Sequence, residues 1–86
     1  MPSRTVAVGS ATGLHARPAQ IVSAAAAESE QTVLIGRVGQ EGVDASSILM
    51  LMSLGLGAGE DIVLSCDDDL ALERIADLIA KDLDAS

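Results

Sequence analysis

A chain of 86 residues without Phe, Tyr or Trp has to build one small core from aliphatic side chains, and it offers no aromatic rings on which nucleic-acid bases could stack. Its formal net charge of −8 comes entirely from residues 44–86, and no run of Lys or Arg occurs anywhere, which argues against binding to nucleic acid or to an anionic membrane. We expect a single domain and interpret its acidic half as a source of solubility.

Hydrophobic periodicity and turn residues predict seven helices and strands. In chain order, the predicted segments are a strand over 5–8, a loop over 9–14, a helix over 16–29, a strand over 32–38, a hairpin turn over 38–42, a strand over 43–45, a helix over 48–54 capped by Ser46-Ser47, a strand over 61–66 and a last helix capped by Asp67-Asp68-Asp69. The order β-α-β-β-α-β-α predicts an antiparallel or mixed sheet with helices packed on one face.

Apolar residues at helical spacing predict the buried sides of the first and last helices. In the first helix they are Ala19, Val22 and Ala26, with Ile21 as a further candidate. In the last helix they are Leu72, Ile75, Ala76, Ile79 and Leu83, whereas Glu73, Arg74, Asp77 and Lys81 are expected outside.

The single cysteine and the lack of a long apolar stretch predict the cellular location. Cys66 has no partner for an internal disulfide, which fits a reducing cytoplasm, and its apolar neighbours favour a buried small hydrophobe over a nucleophile. No stretch is apolar for long enough to serve as a signal peptide or a membrane span. We therefore expect a cytoplasmic protein without membrane insertion.

The segment Gly13-Leu14-His15-Ala16-Arg17-Pro18-Ala19 contains the only histidine, at the predicted start of the first helix. Proline is tolerated there because its missing N–H would have no partner within the helix. If Ala16 is the first helical residue, His15 is the N-cap, and the N–H groups of Ala16 and Arg17 point out of the helix end beside the imidazole. Such an end attracts anions, and a guanidinium two residues from the histidine suits a phosphate.

The positive helix end also bears on the chemistry of the histidine. It is expected to lower the pKa of His15, so that the imidazole stays neutral and nucleophilic near neutral pH. The same donors would then stabilise a phosphoryl group after its arrival. The alternative is that His15 is only a capping residue and Arg17 a solvated helix residue.

The same segment resembles the active-site signature of HPr, the histidine phosphocarrier of the phosphoenolpyruvate–sugar phosphotransferase system. A second block, Ala45-Ser46-Ser47-Ile48-Leu49-Met50-Leu51-Met52-Ser53-Leu54-Gly55-Leu56, resembles the region around the regulatory serine and second helix of that family. The chain length, the order of elements and the separation of the two blocks also match, so the resemblance covers the whole chain. It implies an α+β open-faced sandwich, with a four-stranded antiparallel sheet and three helices on one face.

The resemblance also implies a function. His15 would take a phosphoryl group on Nδ1 from the phosphohistidine of enzyme I and yield it to a histidine on a sugar-specific IIA domain, with Arg17 as phosphate stabiliser. The chain would need no metal and no organic cofactor. It would be a monomeric carrier with a covalent phosphohistidine intermediate rather than a stand-alone enzyme.

Residues 48–52 are five consecutive large apolar residues, which point all round a helix axis and cannot all be buried on one sheet face. We expect Leu51 and Leu54 to face the core, which leaves Ile48, Leu49 and Met52 exposed. The resemblance implies that this surface docks onto enzyme I and the IIA domains, together with Gln20 and Ala24 of the first helix. The alternative is that most of the apolar run is core.

Ser47 lies where the regulatory phosphoserine of the family falls, and a phosphate there would place negative charge inside the docking surface. An HPr kinase would be the partner for this modification. The alternative is that Ser46 or Ser47 serves only as a helix cap.

The sequence is also compatible with two further functions. A domain with this order of elements could bind a small ligand or anion near His15 without covalent chemistry. It could also be an HPr-like regulator that binds a transcriptional regulator through Ile48, Leu49 and Met52, without obligatory sugar transport.

Overall fold

A computed structural model describes residues 2–11, 13–14 and 16–81. In this part of the chain the helices and strands are β1 (Ser3–Ala7), α1 (Ala16–Glu28), β2 (Val33–Arg37), β3 (Val43–Asp44), α2 (Ile48–Ser53), β4 (Asp61–Cys66) and α3 (Asp69–Ala80). The four strands form one sheet in the order β1-β4-β2-β3, and every neighbouring pair is antiparallel. The predicted α+β open-faced sandwich is confirmed, and the sheet is antiparallel rather than mixed.

Alternation along β4 shows which face of the sheet is covered. Ile62, Leu64 and Cys66 are fully buried, whereas Asp61 is exposed and Val63 is half-buried. Because successive side chains of a strand point to opposite faces, the buried set lies under the helices and the other set lies on the uncovered face. The burial of Cys66 confirms that it is a core residue.

The helices bury the faces that their periodicity predicts. In α1, Ala19, Val22 and Ala26 are buried as expected and Ile21 is half-buried, but Pro18, Ser23 and Ala25 are buried as well. In α3 the buried residues include Leu72, Ile75, Ala76 and Ile79, the exposed ones include Glu73, Arg74 and Asp77, and the predicted core residue Leu83 lies outside the described residues. The small side chains of α1 let this helix approach its neighbours closely.

Element boundaries differ from the sequence prediction by one or two residues. β1 begins at Ser3 rather than at residue 5, because Ser3 is still in register with Ser65 of β4. α2 ends at Ser53, one residue early, because Leu54 serves as its C-cap and Gly55 follows with a positive φ of +62°. Strand ends depend on pairing with distant partners, which local periodicity does not contain.

The helices of the described residues are too short or too polar to cross a membrane.

Candidate functional site

The loop between β1 and α1 is fastened to two distant parts of the fold. The N–H of Val8 donates to the carbonyl oxygen of Glu60 at 2.9 Å, and the N–H of Gly59 donates back to the carbonyl of Val8 at 2.8 Å. The N–H of Gly9 donates to the carbonyl of Ile79 at 2.9 Å, near the C-terminal end of α3. These bonds fix the direction in which the chain leaves the sheet.

The far end of this loop is fixed at Gly13 and Leu14. The N–H of Leu14 donates to the carbonyl oxygen of Leu56 at 2.9 Å, and the Leu14 side chain is buried in the core. Gly13 has a φ of +86°, and a Cβ at this position would lie 2.4 Å from the carbonyl oxygen of Leu56. Only glycine combines this backbone conformation with so close a contact.

His15 lies outside the described residues, as does Thr12. The expectation that His15 is the N-cap of α1 falls outside the described residues and stays a prediction. Its two neighbours in the chain, Leu14 and Ala16, are described.

The start of α1 differs from the regular helical turn that we expected. The helix begins at Ala16 as predicted, but Ala16 has a φ of +47°, so regular right-handed helical backbone begins only with Arg17. For a residue with a Cβ this conformation costs about 1–3 kcal/mol, and such strain is concentrated at functional sites. Pro18 contributes no N–H donor.

Arg17 is exposed, and it differs from the other arginines in its partners. The ion pairs found among the described residues join Arg4 to Glu73, Arg37 to Glu60 and Arg74 to Glu28. Within this same part of the chain, Arg17 is the one arginine without a carboxylate partner. Its guanidinium is thus available to an anion at the start of α1.

The exposed apolar surface of α2 differs from the predicted one at two positions. Leu51 is fully buried as predicted and Leu54 is half-buried, but Ile48 is half-buried against the core and not freely exposed. Leu49 and Met52 are exposed as predicted, at 77% and 45%, and Met50 is also exposed at 43%.

Helix geometry explains these exposures. Each residue turns the helix by about 100°, so Ile48 and Leu54 lie about 60° on either side of Leu51, which places them at the edge of the core. Met50 and Met52 lie about 100° away and Leu49 about 160° away, in the order of their exposure. The same calculation would have identified Met50 from sequence. On α1, Gln20 and Ala24 are exposed as a docking role requires.

Ser47 is the N-cap of α2, and its Oγ accepts a hydrogen bond from the N–H of Met50 at 3.3 Å. Ser46 is engaged elsewhere, because its N–H and hydroxyl both donate to Oδ1 of Asp44, at 2.9 and 2.7 Å. The hydrogen bond from the Ser46 hydroxyl, and to a smaller extent the one from its N–H, holds the pKa of Asp44 below the usual value. The predicted capping role of the serine pair is thus confirmed and belongs to Ser47.

Two cavities in the described structure lie between α1 and α3, with volumes of about 170 and 310 Å³. Their lining on this side runs from Ile21 of α1 to Ser29 just after it, at least one helical turn beyond Arg17. They therefore add nothing to the anion site expected at the helix start. The described residues also contain no cluster of three or more His, Cys, Asp or Glu side chains that could bind a metal ion.

Comparison with known proteins supplies the family. A family model described as "PTS HPr component phosphorylation site" matches residues 2–81. The chain belongs to the HPr family. Among curated HPr proteins, the phosphocarrier protein HPr of Streptomyces coelicolor is 44% identical over 87 residues, which cover 98% of this chain and 94% of the relative.

Solved HPr structures share the whole fold. HPr-C-His from Thermoanaerobacter tengcongensis superposes with a TM-score of 0.88 at 30% identity, over 100% of this chain and 99% of the other. HPr from Bacillus anthracis gives 0.83 at 31% identity, over 91% and 95%. A third structure, the catabolite repression containing protein Crh of Bacillus subtilis, gives 0.68 at 33% identity, over 92% and 93%, and is described as a dimer with a swapping domain.

Membership of the HPr family establishes the general function. The chain is a phosphocarrier of the phosphotransferase system, and phosphorylation on histidine and sugar transport are properties of this family. The sequence resemblance to HPr is therefore confirmed.

Proposed function

We propose that His15 accepts a phosphoryl group from phospho-enzyme I and transfers it to sugar-specific IIA domains, so that sugar uptake is coupled to sugar phosphorylation. In the first step Nδ1 of His15 forms a bond to phosphorus while the bond between phosphorus and the enzyme I histidine breaks. The second step repeats this exchange with the histidine of the IIA domain. The cycle requires no metal or organic cofactor on this chain, and the protein acts as a carrier rather than as a stand-alone enzyme.

The observation that best supports this proposal is the guanidinium of Arg17, two residues after His15, which has no carboxylate partner among the described residues whereas the other described arginines are paired. A dianionic phosphoryl group on His15 would be stabilised by Arg17 and by the N–H groups of Ala16 and Arg17. Because Arg17 is exposed, the stabilisation is moderate, which suits a group that has to be released to the next protein.

The docking surface in this proposal consists of Gln20 and Ala24 on α1 and of Ile48, Leu49 and Met52 on α2. The exposure of Leu49 and Met52 supports it, and Met50 extends the same surface. Ile48 would contribute only the edge of its side chain. Flexible methionine side chains suit a surface that binds several partners in turn.

The remaining parts of the proposal concern location and regulation. We place the carrier in the cytoplasm as a monomer. Phosphorylation of Ser47 by an HPr kinase would add charge beside Met50 and weaken docking without removing the helix cap, since a phosphate oxygen can also accept from an N–H at a helix start.

A second candidate function is regulation through protein contacts, with a transcriptional regulator as partner. It is favoured by the similarity to Crh, whose name associates it with catabolite repression, and by the exposed apolar side chains of α2. In this case Ile48, Leu49 and Met52 would bind the regulator, and the chain would not need to take part in sugar transport.

Incubation with phosphoenolpyruvate and enzyme I tests the main proposal. We expect the chain to gain the mass of one phosphoryl group in a linkage that is labile in acid and stable in base, and we expect His15→Ala to abolish the gain. Added IIA domain should then remove the label. Failure of the wild-type chain to be labelled would exclude the carrier function at His15, and a labelled chain that IIA domains do not discharge would favour the regulatory function.

A further inference from the structure

We propose that Arg37 and Glu60 are positioning residues for phosphoryl transfer, acting through the backbone that precedes His15. This inference rests on the proposed role of His15. Neither residue lies in the first helix or in the segment 13–19, and no short sequence motif connects them.

The two side chains form a partly buried ion pair. Nε of Arg37 donates to Oε2 of Glu60, and the Arg37 Nη2 atom lies 3.4 Å from Oε1 of the same carboxylate. About a third of each side chain is exposed, 33% for Arg37 and 32% for Glu60. Arg37 is the last residue of β2, so the pair attaches the connection between α2 and β4 to the end of one of the two central strands.

Both partners also bind the backbone of residues 55–60, which we call the 55–60 loop. Nη2 of Arg37 donates to the carbonyl oxygen of Gly55 at 3.2 Å, and Oε1 of Glu60 accepts from the N–H of Gly57 at 3.1 Å. The pair thus holds the loop on both sides of Leu56. Within the loop, the N–H of Glu60 also donates to the carbonyl oxygen of Gly57 at 3.1 Å, and the Leu56 side chain is buried in the core.

The 55–60 loop in turn forms backbone hydrogen bonds with both ends of the segment 8–14, which precedes His15. Glu60 and Gly59 exchange backbone hydrogen bonds with Val8, and the carbonyl of Leu56 receives the N–H of Leu14. Leu14 is the residue immediately before His15. A shift of Leu56 would therefore be transmitted through one hydrogen bond to the backbone at the proposed phosphoacceptor.

The chemistry of transfer makes this position sensitive. Two proteins must bring a phosphorus atom and an imidazole nitrogen into line, and a misplacement of about 1 Å can lower such a rate about a hundredfold. Two polar contacts within the ion pair and two from it to the loop backbone reduce the freedom of the backbone before His15. Loss of one contact is expected to loosen this backbone without removing any group that touches phosphate.

The test compares Arg37→Gln and Glu60→Ala with Arg4→Gln, which breaks the ion pair to Glu73 far from the loop. Amide hydrogen exchange at Leu14 and the rate of transfer from phospho-enzyme I are measured where circular dichroism shows each variant fully folded. We expect faster exchange at Leu14 and transfer about tenfold slower in both variants, with Arg4→Gln like the wild type. The double variant should be slowed by less than the product of the two single effects, because both substitutions remove the same ion pair while each also removes its own contact to the loop backbone.

The outcomes separate this inference from the proposed function. If the wild type is phosphorylated but the variants match Arg4→Gln in either Leu14 exchange or transfer rate, the positioning role is excluded. A double variant slowed by the full product of the two single effects would exclude a joint action through the ion pair. If the wild type itself is not phosphorylated on His15, the proposed function fails, whatever Leu14 exchange shows.

Discussion

Ser47 caps α2 by accepting the N–H of Met50, and this bond joins the proposed regulatory serine to the exposed surface on which partners are expected to dock. The hydroxyl that would be phosphorylated is also the group that stabilises the start of the helix. Substitutions can separate these two roles.

Ser47→Ala should lower the free energy of unfolding by about 1 kcal/mol, because the alanine leaves an N–H at the helix start without an acceptor. Ser47→Asp should keep most of that stability, since aspartate is also a good N-cap, but it should weaken binding to enzyme I by placing charge in the docking surface. Urea unfolding and binding titrations check both. Ser46→Ala is the control for binding, since Ser46 bonds to Asp44 instead. Equal loss of enzyme I binding in Ser47→Asp and Ser46→Ala would contradict the role of position 47.

Leu49→Glu should raise the KM for phosphoryl transfer from enzyme I with little change in stability, because this side chain is 77% exposed and contributes little to the core. Leu70→Glu is a matched control, since Leu70 on α3 is 82% exposed and lies outside the proposed surface. Steady-state transfer kinetics and thermal unfolding provide the measurements. Should both substitutions raise KM alike, docking through α2 would be wrong.

Gly13→Ala should destabilise the fold by more than Gly39→Ala. Both glycines have positive φ angles, +86° and +81°, so alanine carries a backbone penalty of roughly 1–2 kcal/mol at either position. Only at Gly13 does the added Cβ also meet a backbone atom, the carbonyl oxygen of Leu56, whereas nothing lies within 4 Å at Gly39. Urea unfolding of the two variants measures the difference. Equal losses would show that the contact with Leu56 relaxes at no cost.

Ala16→Gly tests the unusual backbone at the start of α1. Glycine adopts a φ of +47° without the penalty that Ala16 bears, so we expect stability to be unchanged or raised by up to about 1 kcal/mol. Ala24→Gly, at an exposed position within the same helix, should instead lower stability by about 1 kcal/mol. Thermal unfolding distinguishes them. A loss at Ala16 as large as at Ala24 would mean that Ala16 has ordinary helical backbone in solution.

Acid should weaken the fold partly through Glu60. The hydrogen bond from the Gly57 N–H, and then the one from Arg37, hold the pKa of Glu60 below its usual value of 4.5. A carboxyl whose pKa is lower in the folded than in the unfolded chain contributes its full stabilisation at pH values above the unfolded pKa. This contribution is lost as the pH falls through the lower, folded-state pKa. The stability of Glu60→Gln should therefore fall less than that of the wild type between pH 6 and roughly pH 3.

The control for this pH dependence is Glu41→Gln, which removes an exposed carboxylate that has no polar partner among the described residues. We expect its acid profile to follow the wild type in urea unfolding. If Glu60→Gln and Glu41→Gln show the same profile, the hydrogen bonds of Glu60 do not contribute to acid stability.

Much of the fold could be predicted because its signals are local. The alternation over 61–66 and the helical spacing of Leu72, Ile75 and Ile79 depend only on neighbours along the chain, and both elements form as predicted. The segment 13–19 likewise places histidine, arginine and proline together in sequence, which is why the family could be recognised from it.

The parts that sequence did not reveal depend on distant contacts or on backbone conformation. Arg37 and Glu60 are separated by 23 residues, and no periodicity connects them. The positive φ of Ala16 has no side-chain signal, since alanine is a strong helix former that favours the regular turn. The exposure of Met50 was missed for a different reason. It follows from the helical geometry of α2 alone and could have been predicted from the sequence.

The pairing of β1 has a consequence for the order of assembly. Within the sheet β1 has one neighbour, β4, so Ser3 pairs with Ser65 and the first strand has no place until residues 61–66 have been synthesised. Contacts of such long range form late and slow the folding of a chain. The first strand therefore cannot pair until residue 66, about three quarters of the way along the 86 residues, has been synthesised, and a truncated product lacking β4 would contain the complete signature around His15 but leave β1 unpaired.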